Sequence, residues 1–165
     1  MNNIKKLTYS GLLTALAIII PLTFGFLKIH AGPFSATLAS HVPMFMAMFL
    51  GPGAAVMVGV GSGIGFLLTA PAVIAARAFM HTFVGLAGAY LLKKDVSFGK
   101  VILITGPIHA ILEALIVIPF GFSVYKFLVV VGLGTLIHHM VDGIISLGLV
   151  NALSKSLKMD LKKVA

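Results

Sequence analysis

The chain has 165 residues, of which 59% are hydrophobic and only 10% charged, and its mean hydropathy is +1.13. That composition excludes an ordinary soluble domain and describes a membrane protein. Twelve Lys and Arg against four Asp and Glu give a formal charge of +8, but nucleic acid is not implied until the charges are located. The absence of Cys excludes disulfides, thiolate metal sites and cysteine nucleophiles together.

In chain order, a polar start gives way to an apolar run over residues 7–27. It has no small-residue cleavage signal after it, so it reads as a retained first helix. Residues 28–40 form a loop. Residues 41–69 exceed one ordinary span, and Gly51-Pro52-Gly53 stops and restarts the helix. The expected spans are therefore 41–50 and 53–69, followed by 72–92, 100–119 and 126–152, with a basic tail that frays from Ser154. The predicted architecture is an all-α membrane protein: one domain of six transmembrane helices filling residues 1–165.

Cytoplasmic loops collect Lys and Arg. Six spans put Lys5, Lys6, Lys93, Lys94, Lys100, Lys155, Lys158, Lys162 and Lys163 on one side and only Lys28 and Lys126 on the other, so both termini are expected to be cytoplasmic. A five-span arrangement would split these charges. The +8 then records topology, helped by attraction to anionic lipid, and nucleic acid is not an expected partner.

With the Lys residues assigned to loops and ends, the only Arg, Arg77, falls inside the fourth span. Glu113, Asp142, His81, His109, His138 and His139 are intramembrane as well. Such residues are costly in lipid and mark functional sites. Arg77 and His81, His109 and Glu113, and His138 and Asp142 are each four apart, so each pair shares a helix face. Counting about 1.5 Å per residue from the outer span ends puts Arg77 and Glu113 roughly 8–9 Å deep, His81 and His109 about 14 Å, His138 roughly 18 Å and Asp142 about 24 Å. These depths describe a pocket opening outward between spans four, five and six and closed at its floor, a binding site rather than a channel. The plainer alternative is that Arg77 and Glu113 tie two helices together and the histidines bond their neighbours.

Gly59, Gly61, Gly63 and Gly65 superficially look like a phosphate-binding loop, but they lie inside a span, where Gly59/Gly63 and Gly61/Gly65 make overlapping GxxxG packing faces. No P-loop sequence occurs, so any ATP would be hydrolysed by a partner. Gly11 and Ala15 make a small-xxx-small pair on the first helix. His109/Glu113 and His138/Asp142 also have the spacing of metal ligands, which keeps a metal ion transporter as the rival reading, although Arg77 at the same level would repel a cation. No nucleophile stands at a familiar spacing from a base, and no enzyme, resident metal or cofactor is expected.

Over essentially its whole length the sequence resembles the S-components, the substrate-capturing membrane subunits of energy-coupling factor vitamin transporters. The resemblance is carried by Gly11-Leu-Leu-Thr-Ala15, by Ser40-His-Val-Pro-Met-Phe-Met-Ala-Met-Phe-Leu-Gly-Pro-Gly-Ala-Ala-Val-Met-Val-Gly59, by Ala76-Arg-Ala-Phe-Met-His81 and by Ile137-His-His-Met-Val-Asp142. Gly stands at position 11, where that family usually has Ala. The resemblance implies vitamin uptake through the cell membrane by a multi-pass protein, with Arg77, His81, His109, Glu113 and His138 around the substrate. It also implies that residues 28–40 cover the pocket, with Phe34 as an aromatic wall and Ser35 and Thr37 as hydroxyls. Gly11 and Ala15 would touch a transmembrane coupling subunit, itself joined to two ATPase subunits. Gly32-Pro-Phe-Ser-Ala-Thr-Leu-Ala-Ser-His-Val-Pro43, with Arg77 and His81, is most similar to the niacin-specific branch. Arg77 would then pair with a pyridine carboxylate, and His81 or His109 with the ring nitrogen. A vitamin B6 form, which would favour Glu113, and pantothenate are the alternative substrates.

Overall fold

A computed structural model describes residues 2–157. Five helical stretches among them are long and apolar enough to cross a membrane: Asn3–Thr23, Pro52–Thr69, Ala72–Lys93, Phe98–Phe120 and Lys126–Ser156. The first helix, α1 (Asn3–Thr23), starts earlier than its apolar run because the Asn2 side chain accepts from the Lys5 amide and caps it. Next comes α2 (Val42–Leu50), whose nine residues make it roughly 14 Å long, too short to span alone. Gly51, at φ +102° and ψ −179°, separates it from α3 (Pro52–Thr69). Only glycine adopts that backbone readily, and Pro52 starts the next helix with its missing N–H among the unpaired donors. The expected break is therefore where Gly51-Pro52 put it.

Three elements differ from the sequence expectation. Residues 28–40 are not an irregular loop, and the protein is not purely α. Lys28–Ala31 (β1) and Phe34–Thr37 (β2) form an antiparallel hairpin, with Ala31 paired to Phe34 across Gly32-Pro33. Gly32 has φ +59°, the positive φ that a two-residue hairpin turn needs at its first central position. The fourth span is two helices, α4 (Ala72–Phe79) and α5 (His81–Lys93), interrupted at Met80. The last span begins as a π-helix over Lys126–Leu133 and continues as α7 (Gly134–Leu157), so it runs past Ser154. Between these lies α6 (Phe98–Ile116). Of the Lys residues used for topology, Lys158, Lys162 and Lys163 lie outside the described residues.

The centre of the bundle is α3, which packs on α1 and on α4 and α5. Its glycines make this possible. A Cβ on Gly59 would strike the Thr82 backbone and one on Gly63 the Phe79 ring, both on the α4/α5 side, while Gly61 and Gly65 face Thr14 and Ile18 of α1. The two overlapping GxxxG faces thus serve two neighbours. Phe45, Met44, Met48, Val58, Val84 and Phe98 fill the apolar core. One half of the bundle is therefore closed by tight apolar packing, which leaves the polar groups gathered under the hairpin.

Candidate functional site

The polar residues of α6 and α7 follow the helical repeat. Thr105, His109 and Glu113 share one face of α6, and Thr135, His139, Asp142 and Ser146 share one face of α7; all are buried. Between these faces come Arg77 near the end of α4 and His81 at the start of α5. The hairpin lies over them.

Arg77 is 3% exposed and ties four elements together. Its Nε donates to Glu113 Oε2 at 3.0 Å and its Nη2 to the same oxygen at 2.6 Å. Its Nη1 donates to the Pro33 carbonyl at 3.0 Å, and Nη2 lies 3.4 Å from the Ser35 carbonyl and from Thr135 Oγ1. The Thr135 hydroxyl also donates to Glu113 Oε2. The guanidinium carbon stands 5.1 Å from the centre of the Phe34 ring, a cation–π geometry. Arg77 and Glu113, expected at one depth, do meet. Arg77 is also the fastening of the hairpin turn, which its sequence position did not announce.

A second cluster surrounds Asp142. Its Oδ1 accepts from the Ala39 amide at 2.8 Å and its Oδ2 from the His41 amide at 3.0 Å. His41 Nδ1 and His138 Nε2 each lie 3.2 Å from Oδ2, and His138 Nε2 is 3.1 Å from the Thr37 carbonyl. Ala39 has φ +67°, an uncommon backbone for a residue with a Cβ. Asp142 therefore holds the far base of the hairpin as Arg77 holds its tip.

Five imidazoles meet between the clusters. The ring centre of His41 is 4.2 Å from that of His138 and 4.7 Å from those of His81 and His109. His109 bonds His139, Nδ1 to Nδ1, at 3.0 Å and approaches Glu113 Oε1 at 3.2 Å. His81 Nδ1 bonds Ser62 Oγ at 2.8 Å, with its Nε2 3.9 Å from Glu113 Oε1. His41, Thr135 and Ser62 were not singled out from sequence. Three donor groups have their ligand atoms close enough to share an ion: His41, His138 and Asp142; His81, His109 and Glu113; and His41, His109 and His139. Direct contacts among these side chains and the backbone account for most of those atoms.

A polar cavity opens under the hairpin, with Ser35, Thr37, His41, Arg77, His81, Glu113 and His138 on its walls. The free space is about 20 Å³, room for one water, so a larger guest does not fit this arrangement of the side chains. The Thr37 hydroxyl is buried on this wall without a hydrogen-bond partner. His109 is fully buried behind Glu113 and is not on the wall. Phe34 faces a separate apolar cleft beside α7, lined also by Ile29, Ala36, Ile137 and Val141. Gly11 and Ala15 are not on the wall of this cavity; they lie on an exposed face of α1, with nothing within 4 Å of a Cβ built at Gly11.

The chain is similar to the niacin transporter NiaX of Lactococcus lactis subsp. cremoris (strain MG1363), with 39% identity over 175 residues that cover 96% of this chain and 78% of that protein. No family model matches the chain, and no solved structure matches it. The relative and the apolar helices make this a multi-pass transport protein of the cell membrane. At that identity and coverage the chain belongs to the niacin-transporter family, the niacin branch of the S-components of energy-coupling factor vitamin transporters.

Proposed function

We propose that the protein captures niacin from outside the cell, binding the pyridine carboxylate beneath the hairpin. The observation that carries this reading is how the donors of Arg77 are divided. One edge, Nε and Nη2, holds Glu113, while Nη1 and part of Nη2 hold the Pro33 and Ser35 carbonyls. When the hairpin lifts, that second edge loses its carbonyls and is free for a carboxylate, with Glu113 still in place. A charge-assisted bond to an ionised oxygen replaces bonds to neutral ones. The ring then lies in the polar cavity, with His81, His41 or His138 in reach of its nitrogen. The name of the relative supports niacin over a B6 form or pantothenate.

The uptake reading extends to the whole bundle. Six crossings, with the short α2 counted as one and both termini cytoplasmic, follow from the distribution of Lys. The exposed Gly11/Ala15 face of α1 is the surface for a transmembrane coupling subunit, and two ATPases on that subunit supply the energy this chain has no motif to harvest. A ligand that binds only the folded state raises its apparent stability by RT ln(1+[L]/Kd). Thermal unfolding of the purified protein is therefore expected to shift upward with nicotinate and without added metal. Arg77→Ala is expected to abolish the shift. Undiminished binding by that variant would remove Arg77 from the site, and a shift that requires Zn²⁺ would favour metal transport.

A further inference from the structure

The polar cavity and the apolar cleft share one strand as a wall. Successive side chains of a strand point to opposite faces, and β2 is sorted accordingly: Ser35 and Thr37 line the cavity, whereas Phe34 and Ala36 line the cleft. Thr37 is the more deeply placed of the polar pair, 2% exposed against 7% for Ser35. Among the described residues, its Oγ1 is one of two buried side-chain atoms with no hydrogen-bond partner. The other, His41 Nδ1, stands 3.2 Å from the Asp142 carboxylate. A buried hydroxyl without a partner bears the full loss of its hydration, so this one is a donor still to be satisfied, on the wall where a guest arrives.

The backbone of Thr37 belongs to the anchored end of the hairpin. Its carbonyl accepts from His138 Nε2 at 3.1 Å and from the Ser40 amide at 3.0 Å, and the Ala39 and His41 amides just beyond are fixed on Asp142. Pro33 and Ser35, by contrast, are held by Arg77. A movement of the tip that frees Arg77 therefore leaves Thr37 in place. Two residues of strand, about 6.7 Å, separate Ser35 from Thr37. A nicotinate oxygen standing where the Ser35 carbonyl stood carries the ring nitrogen about 4–5 Å onward, and a hydrogen bond of about 2.8 Å covers the remaining distance.

We propose that the Thr37 hydroxyl donates to the pyridine nitrogen of the bound carboxylate, and so makes the pocket select a ring that contains this nitrogen over a plain aromatic carboxylate. The unprotonated pyridine nitrogen is an acceptor in the plane of the ring. Benzoate has the same charge and nearly the same shape but presents a C–H there. A site built to hydrogen-bond one atom rejects the analogue that lacks it, because the buried polar group is then left unpaired. Each histidine on the wall already has one ring nitrogen engaged: His81 Nδ1 with Ser62 Oγ at 2.8 Å, His138 Nε2 with the Thr37 carbonyl, and His41 Nδ1 facing Asp142. The hydroxyl turns about a single bond and gives up no partner to reach the ring.

This inference rests on the niacin reading, and titration calorimetry tests the two separately. The full-length protein in lipid nanodiscs is titrated with nicotinate and with benzoate at neutral pH, where both are ionised. The wild type is expected to bind nicotinate about tenfold or more tightly than benzoate. Thr37→Val keeps the branched shape and removes the hydroxyl. Its nicotinate affinity is expected to fall about tenfold with benzoate affinity unchanged or raised, which brings the ratio close to one. Thr37→Ser keeps the hydroxyl and is expected to keep the wild-type ratio. Without ligand, Thr37→Val is expected to unfold at the wild-type temperature or above, since it removes an unpaired group, so a changed ratio is no by-product of unfolding. A Thr37→Val protein that retains the wild-type ratio, or that loses both ligands in equal measure, overturns the proposal. So does a wild type that binds the two ligands alike. Failure of the wild type to bind nicotinate overturns the niacin reading instead.

Discussion

Asp142→Asn isolates the role of one buried carboxylate without changing its size. Asp142 is fully buried and accepts from two backbone amides, at 2.8 Å from Ala39 and 3.0 Å from His41, while two imidazole nitrogens approach at 3.2 Å. Asparagine keeps one acceptor oxygen, and its NH₂ turns a second contact into donor facing donor. A hydrogen bond to a charged group contributes about 1.5–3 kcal/mol. Losing one such bond and weakening the other is expected to destabilise the fold by roughly 2–4 kcal/mol. Ala39, at φ +67°, would lose the bond that keeps it in that backbone, so the base of the hairpin is expected to loosen first. Thermal unfolding in detergent should show a midpoint lower by roughly 5–15 °C, and hydrogen exchange should rise at Ala39 and His41. Asp95→Asn, at the exposed end of α5, is the control and should leave both unchanged. If Asp142→Asn unfolds at the wild-type temperature with protection at Ala39 intact, Asp142 does not hold the hairpin.

Three further substitutions separate the packing faces from the proposed site. Gly59→Ala places a Cβ against the Thr82 backbone, and overpacking of this kind is expected to destabilise by about 1–3 kcal/mol, read as a lowered unfolding temperature; Gly11→Trp, with open space around it, should leave that temperature unchanged while reducing co-purification with the coupling subunit. Phe34→Ala removes the ring 5.1 Å from the Arg77 guanidinium, a cation–π contact that contributes about 0.5–2 kcal/mol, so the hairpin tip is expected to loosen, read as faster hydrogen exchange at Ser35.

Much of this arrangement was legible because membrane chemistry makes exceptions conspicuous. Arg77 and Glu113 stood out as charges in apolar spans, and equal depth on consecutive helices was enough to predict that they meet. Gly51-Pro52 marked its helix break because positive φ and a missing N–H are properties of single residues. His41 escaped notice for the opposite reason. It has no titratable neighbour one turn away on α2, and its partners His81, His109, His138 and Asp142 come from α5, α6 and α7, the last of them 101 residues distant. The signal available was a histidine opening an apolar span with no other polar side chain in it. The break at Met80 has no Gly or Pro to announce it, and the hairpin strands are four residues each, too short for alternation to stand out against a loop. Depth counting placed Asp142 deepest, which suggested a floor to the pocket. The contacts give it a different meaning, because the Ala39 and His41 amides descend to reach it. The hairpin is thus anchored at its base by a buried anion and at its tip by a buried cation, and a carboxylate that takes the hairpin's share of Arg77 competes only with the tip.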